Sequence, residues 1–179
     1  MSKFLKSKTM LLRAIEPEDL EVLYKWENDT DVWKYGSAIS PYSKYILRQY
    51  IVDAQTDIYK SKQLRFMISL HKQNCTIGTI DLYNFDVLNS RCGVGIYIDS
   101  AYRTQGYAKQ ALSLLEDYVF SFLNVNQLYA LIPKENKASL NLFSSANYVE
   151  SGILKPWISY NNRFEDVIIV QKLKTRDTE

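Results

Sequence analysis

No uncharged apolar run in this chain reaches the ~18 residues that a membrane-spanning helix requires. The stretch Tyr118–Pro133 is broken by Asn124, Asn126 and Gln127. Excess charge is also missing: the formal net charge is +2 over 179 residues, so nothing demands nucleic acid or an acidic membrane as partner. The opening Met-Ser-Lys-Phe-Leu-Lys-Ser-Lys has no signal-peptide core. It reads as a short polar lead-in, which sets the expectation of a cytoplasmic protein. Two cysteines and the single His71 are too few for a metal site, so no metal is expected. Cys75 and Cys92 belong to neighbouring predicted strands whose hairpin turns near Asp86–Ser90. That pairing sets Cys92 opposite roughly Asn84, about nine residues from Cys75, or on the order of 30 Å, far beyond disulfide reach. Both thiols are therefore expected to be buried small hydrophobes. A Gly-x-x-x-x-Gly-Lys-Ser/Thr motif is absent, which argues against a P-loop enzyme. So are Ser/Gly/Pro-rich linkers, repeats and low-complexity tracts, and the chain reads as one domain, residues 1–179, with an ordered core from about 10 to 173.

What is present is a core's worth of apolar residues, 46% of the chain, in a legible order. Met10–Ile15 reads as a strand, and Glu16-Pro17-Glu-Asp-Leu20 starts a helix with proline and acids in its first turn. Leu20, Leu23 and Tyr24 form its expected buried stripe, and Trp33, Tyr35 and Gly36 follow in a loop. A second helix starts at Ser40-Pro41-Tyr42, with Tyr45, Ile46, Gln49, Tyr50 and Val52 at helical spacing. Leu64–Leu70, Thr76–Phe85 and Arg91–Ile98 read as a three-strand meander, the first two joined around Lys72-Gln-Asn74. A long helix over Thr104–Leu123, a strand Gln127–Ile132 and a helix Lys137–Ala146 come next. Asn147 stands where a left-handed residue ends a helix. Two last strands, Tyr148–Lys155 and Asp166–Leu173, flank an aromatic loop at Trp157–Phe164. The order βααβββαβαββ predicts an α+β fold: a single mixed, mostly antiparallel sheet with helices on both faces.

The chain turns around Tyr97–Leu112. Val94, Ile96 and Ile98 alternate as in a strand, whereas Ala108, Ala111, Leu112, Leu115, Val119 and Phe122 recur at helical spacing. Between them, Arg103-Thr-Gln-Gly106-Tyr-Ala108 carries the chain from strand to helix. The first amides of a helix have no internal partner and sit in positive potential, so this place suits a phosphate. Arg103 before the turn and Lys109 after it add to that charge.

Arg103-x-x-Gly106-x-Ala108 resembles the acyl-CoA loop of the GNAT superfamily of N-acetyltransferases, Gln/Arg-x-x-Gly-x-Gly/Ala. Leu12–Leu20 resembles the opening strand and helix of the ribosomal-protein alanine and spermidine acetyltransferase branches. Ile77-Gly-Thr-Ile-Asp81 resembles their third strand, and Asn136–Ser139 through Asn147-Tyr148 their last helix and its exit. The resemblance covers the chain from about Met10 to Leu173. It implies the acyl-CoA N-acyltransferase fold, acetyl-CoA as the acetyl donor, and a small-molecule or peptide amine as acceptor, with a homodimer left open. By the same resemblance the amides of Thr104, Gln105, Gly106, Tyr107 and Ala108 hold the CoA pyrophosphate beside Arg103. The strand end Ile96-Tyr97-Ile98 pairs with the pantetheine amides as though the cofactor were an added strand. Asn136 matches an asparagine that touches CoA, although it also sits at a predicted N-cap, where asparagine is favoured on its own account. Ser139 matches a serine proposed to protonate the leaving thiolate.

Four departures bear on the chemistry. Thr104 stands where many relatives have a second glycine, and its branched side chain narrows the approach to a phosphate. Phe143 replaces a tyrosine acid, and Gly93 a glutamate base. The loop Trp33–Ala38 has almost none of the acidic residues that hold polyamines, which counts against spermidine. Deprotonating a lysine-like amine of pKa ~10.4 at pH 7 costs about 4.6 kcal/mol, and an α-amine of pKa ~7.7–8.0 only about 1–1.4 kcal/mol. A site poor in bases therefore suits a low-pKa amine unless a carboxylate serves through water, either Asp81 on a central strand or one of Glu27, Asp29 and Asp31. Trp33, Tyr35, Tyr42, Trp157, Tyr160 and Phe164 are candidates for an aromatic acceptor wall. The expectation is direct transfer of acetyl from acetyl-CoA to a primary amine, a protein N-terminal α-amine ahead of other small amines and a polyamine. The rivals are a CoA-binding module without chemistry and a different nucleotide-binding protein.

Overall fold

The computed structural model describes residues 4–33, 40–54, 56–72, 75–160 and 162–175. Tyr35, Gly36 and the turn residues Gln73 and Asn74 lie outside the described residues, as does the side chain of Tyr160. Seven strands form one sheet: β1 Met10–Arg13, β2 Leu64–Leu70, β3 Cys75–Asp86, β4 Arg91–Ile98, β5 Gln127–Pro133, β6 Val149–Tyr160 and β7 Arg163–Leu173. Their order is β1-β2-β3-β4-β5-β7-β6. Every pairing is antiparallel except β4 with β5. The helices are α1 Leu20–Glu27, α2 Thr30–Trp33, α3 Lys44–Asp53, α4 Ile58–Ser61, α5 Tyr107–Asp117 and α6 Lys137–Ser145.

Strand alternation divides the apolar residues between two faces. Phe66, Ile68, Ile80, Leu82, Val94, Leu128 and Ala130 pack with α5 and α6 in the larger cluster. Met67 points the other way and joins Ile15, Leu20, Leu23, Trp26, Leu47 and Ile51, which seat α1 and α3. The mixed α+β sheet with helices on both faces is therefore the observed fold.

Six local expectations are corrected, the first being Trp33, which ends the short helix α2 rather than standing in a loop. In α1 the buried stripe is Leu20, Leu23 and Trp26, while Tyr24 reaches the surface. The Trp26 indole is drawn inward by the buried Asp99, to which it donates at 2.7 Å. The second helix starts at Lys44 rather than at Ser40-Pro41-Tyr42, because Ser43 caps it by accepting from the Ile46 amide. The long helix begins at Tyr107, not Thr104, and its last turn, Tyr118–Phe122, widens into a π-helix. That extra residue per turn keeps Val119 in the core and moves Phe122 to the surface, against Phe4. The aromatic loop Trp157–Phe164 is instead a hairpin arm: β6 and β7 continue to Tyr160↔Arg163, with register shifts between Glu150 and Gly152 and between Leu154 and Ile158. The second shift accommodates Pro156, which has no N–H for the ladder. Cys92 is buried as expected, whereas Cys75 is half-buried with its Sγ 3.6 Å from the Tyr102 hydroxyl.

Candidate active site

The parallel pairing of β4 and β5 sets the geometry. It runs only from Arg91↔Gln127 to Gly93↔Tyr129. Beyond that point β4 remains paired with β3 as far as Ile98↔Gly78, and β5 with β7 as far as Pro133↔Val167. The two strands therefore part into a fork. Along Val94–Ile98, no strand among the described residues takes the edge of β4 that faces β5. Ile98 is buried and Ile96 half-buried toward α5, whereas the Tyr97 ring lies on the other face, 5.3 Å from Trp26. Their side chains are committed to packing while their peptide edge faces the gap.

At the open end of the β4 arm, Asp99 anchors the turn into α5. It accepts from the Trp26 indole at 2.7 Å, from Lys25 at 3.0 Å and from the Ala101 amide at 3.1 Å. Burial opposes its charge, yet the Trp26, Ala101 and Lys25 donors prevail and bring the carboxyl down to about 2. Arg103 folds back to donate from Nε to the Ile98 carbonyl at 2.9 Å, with its guanidinium 5.8 Å from the Tyr97 ring centroid. Thr104 has φ +60° and Gly106 φ +79°. Thr104 is thus left-handed, a conformation that costs a branched residue roughly 1–2 kcal/mol. A side chain at Gly106 would meet nothing within 4 Å. Among the described residues no side chain caps α5 at its start, and the loop from Arg103 to Gly106 is exposed. The arrangement fits a phosphate ligand: a bare helix start, an open approach and a neighbouring Lys109.

On the β5 arm, α6 begins with Asn136, whose side chain accepts from the Ser139 amide at 3.1 Å. The N-cap role is therefore filled, and Ser139 sits half-buried in the first turn. Phe143 is core, packed edge-on against Tyr148 at 4.8 Å.

The face toward α1 and α3 carries the charged groups. Arg65 of β2 donates to Asp81 from Nε at 2.7 Å and from Nη2 at 3.1 Å, and to Glu27 from Nη1 at 2.6 Å. Its guanidinium lies 5.2 Å from the Tyr50 ring centroid. Burial disfavours the Arg65 charge, but Asp81, Tyr50 and Glu27 outweigh it and hold the group firmly protonated. Burial also pushes the Tyr50 phenol up to about 12. Asp81 is thus not a solitary carboxylate. Its looser-held oxygen, Oδ2, faces Gly95 of β4, where an added Cβ would stand 4.0 Å away. Gly95 has no side chain, so a recess lies over the β4 backbone beside that oxygen.

The other glycine of β4 is explained by Tyr83. A Cβ on Gly93 would come within 2.2 Å of the Tyr83 ring, so a glutamate there would have to displace the ring. Nothing in the sequence marks Tyr83 or Arg65 as part of a site, and Tyr50 stands out only as one of the residues at helical spacing. The one available signal is an arginine inside the mostly apolar strand Leu64–Leu70. Of the expected aromatic wall, Trp33 donates its indole N–H to the Glu27 carbonyl at 2.8 Å. The Tyr42 backbone exchanges two hydrogen bonds with Asn28, and Trp157 and Phe164 stand exposed on the hairpin arm. A cleft of about 900 Å³ lies elsewhere, between the β3–β4 hairpin and the open face of β5 and β7. It shares Tyr129 and Leu131 with the fork but includes none of the loop before α5.

Comparison with known proteins agrees with this geometry. A family model described as "Acetyltransferase (GNAT) domain" matches residues 9–149. An uncharacterized N-acetyltransferase p20 of Bacillus licheniformis is 29% identical over 171 residues, covering 95% of this chain and 96% of that protein. The spermidine N(1)-acetyltransferase of Escherichia coli K12 is 25% identical over 157 residues, 88% of this chain and 82% of that protein. The crystal structure of spermidine N-acetyltransferase from Vibrio cholerae in complex with CoA and spermine shares the fold. Its TM-score is 0.84 at 24% identity, over 94% of this chain and 97% of that one. A sheet forked between β4 and β5, a bare helix start at its mouth and a family match over most of the chain lead to one conclusion: this chain belongs to the GNAT acetyltransferase family and is an N-acetyltransferase.

Proposed function

We propose that the enzyme takes acetyl from acetyl-CoA and transfers it directly to a primary amine that carries one positive charge when protonated, an α-amine in preference to a polyamine. The observation that carries this reading is the parting of β4 from β5 after Gly93↔Tyr129, which leaves a free strand edge leading to an uncapped helix start. The amides of Thr104, Gln105, Gly106, Tyr107 and Ala108 receive the pyrophosphate. Arg103 holds that loop to β4 through the Ile98 carbonyl. The edge Ile96-Tyr97-Ile98 pairs with the pantetheine arm, and amides of this edge polarise the thioester carbonyl. Asn136 and Ser139 face the arm from the β5 side, with the Ser139 hydroxyl as proton donor toward the sulfur.

The amine enters over Gly95, where Asp81 Oδ2 orients it and accepts its proton through water. Positioning of the amine against the thioester supplies most of the rate. Two carboxylates share one guanidinium here, so the recess keeps a single net negative charge. That suits one ammonium and gives a polyamine's other charges nothing to meet among these residues. The spermidine enzymes among the relatives favour the second reading, a polyamine acceptor.

Calorimetric titration and thermal shift test the donor side. Acetyl-CoA at ~100 Kd adds about 2.7 kcal/mol, which is a rise of several degrees at ~2–4 °C per kcal/mol, while ATP and NAD add nothing. Thiol release with α-amines, monoamines and spermidine tests the acceptor, and faster release with spermidine overturns the preference. Asp81→Asn keeps the CoA-dependent shift and lowers kcat by ~10²–10⁴, the range of general base catalysis. Unchanged turnover removes Asp81 from the chemistry.

A further inference from the structure

The base of the fork is closed by one side chain. From Val94 to Ile98 the free edge of β4 is about five residues long, or ~17 Å at ~3.3 Å per residue. A pantetheine arm that hangs from the α5 loop along this edge therefore ends where the strands meet, at Gly93↔Tyr129. Tyr83 of β3 stands at that spot. Its ring crosses β4 directly over Gly93, with Cε2 and Cζ only 2.2 and 2.4 Å from where a Cβ would be. Its Cε1 edge lies 4.0 Å from the corresponding point on Gly95. Tyr129 meets the ring edge-on, with centroids 5.9 Å apart. The phenol rests against the backbone of Leu131, two residues beyond the last β4–β5 pair. The ring thus reaches from one arm of the fork to the other. Burial pushes the phenol up to about 12, so the group is neutral at any working pH and adds no charge to the fork.

We infer that Tyr83, braced by Tyr129, is the end wall of the acyl pocket and restricts the donor to a two-carbon acyl group. Glycine at 93 is what lets the ring lie in this position, so Gly93 and Tyr83 act as a pair. The inference rests on CoA lying in the fork, and its test separates the two claims.

Acetyl-, propionyl- and butyryl-CoA, with CoA itself as the reference, are titrated calorimetrically in the absence of amine. The proteins are the wild type, Tyr83→Phe, Tyr83→Val and Tyr129→Val. Wild-type affinity falls by about tenfold or more for each added methylene, since a filled pocket discriminates by ~10–200-fold per methylene. Tyr83→Phe keeps the ring and the ranking. Tyr83→Val shortens the wall and raises the butyryl-to-acetyl affinity ratio by at least ~10-fold, while affinity for CoA itself is unchanged. Tyr129→Val removes the brace and shifts the ratio in the same direction, which keeps the inference open to refutation if Tyr83→Val does not fold. Gly93→Ala collides with the ring in the wild type and is tolerated in the Tyr83→Val background. Wild-type ranking retained by a folded Tyr83→Val protein that still binds CoA overturns this inference alone. Failure of the wild type to bind CoA overturns the cofactor reading as well.

Discussion

Two helices begin at the open end of the fork, one on each arm, and their first turns are finished differently. On the β5 arm, α6 starts under Asn136, whose side chain occupies the Ser139 amide. On the β4 arm, α5 starts at Gly106, which has no side chain to offer, and the space where a Cβ would stand is open. Both starts have the same orphan donors and the same dipole. What differs is whether the chain satisfies them itself or leaves them to a ligand. The capped start needs no outside partner for its Ser139 amide, while the first amides of the uncapped one are left to water or to a ligand.

This contrast can be broken first at the bare end. Gly106→Val places a branched residue at φ +79° and costs about 1–2 kcal/mol in the free protein. It also puts a side chain among the amides, so the ~2.7 kcal/mol gained from acetyl-CoA at ~100 Kd disappears from the thermal-shift series. At the capped end the opposite division holds. Asn136→Ala lowers stability by ~1 kcal/mol, or ~2–4 °C, and leaves most of the CoA-dependent shift in place. A complete loss of that shift in Asn136→Ala would show that the amide group of Asn136 touches the cofactor as well as the helix.

Thr104→Gly sharpens the comparison within the loop. The substitution relieves a left-handed branched residue, worth about 1 kcal/mol, against a glycine's entropic cost of roughly 0.5–1 kcal/mol. Stability therefore changes little, while calorimetry shows CoA bound at least as tightly. The smallest effect on CoA binding concerns Asp99, which ties α1 to the end of β4 through Trp26 and Lys25. Its folded carboxyl lies at about 2, below the unfolded ~3.9, so its contribution is complete above about pH 4 and is lost as pH falls toward 2. The melting-temperature difference between wild type and Asp99→Asn is accordingly flat from pH 5 to 7 and narrows below pH 4.

Much of the architecture could be read from local pattern. The succession of strands and helices, the Asp86–Ser90 turn, the Asn136 cap and the left-handed Asn147 each depend on residues within a few positions of one another. The same is true of the loop from Arg103 to Ala108. Sites assembled from distant residues were less accessible. Arg65 meets Asp81 sixteen positions away and Glu27 thirty-eight away, and neither spacing has a period to reveal it. Gly93 could be read only as a missing glutamate, because the ring that fills its place comes from another strand. The hairpin arm reads as a loop in the sequence because Pro156 and the bulge near it interrupt the alternation on which a strand reading depends.

The sequence by itself determined most of the strands and the longer helices, and it determined that a helix follows the Arg103–Ala108 loop, though not that its first turn opens at Gly106. Those outcomes follow from backbone sterics and side-chain period, which act over one or two turns of chain. Only the tertiary structure decided that β4 and β5 separate after Gly93↔Tyr129, that Arg65 binds two carboxylates together, and that Tyr83 closes the base of the gap. Each of these depends on groups brought together by sheet pairing, where proximity is set by register across strands and not by distance along the chain.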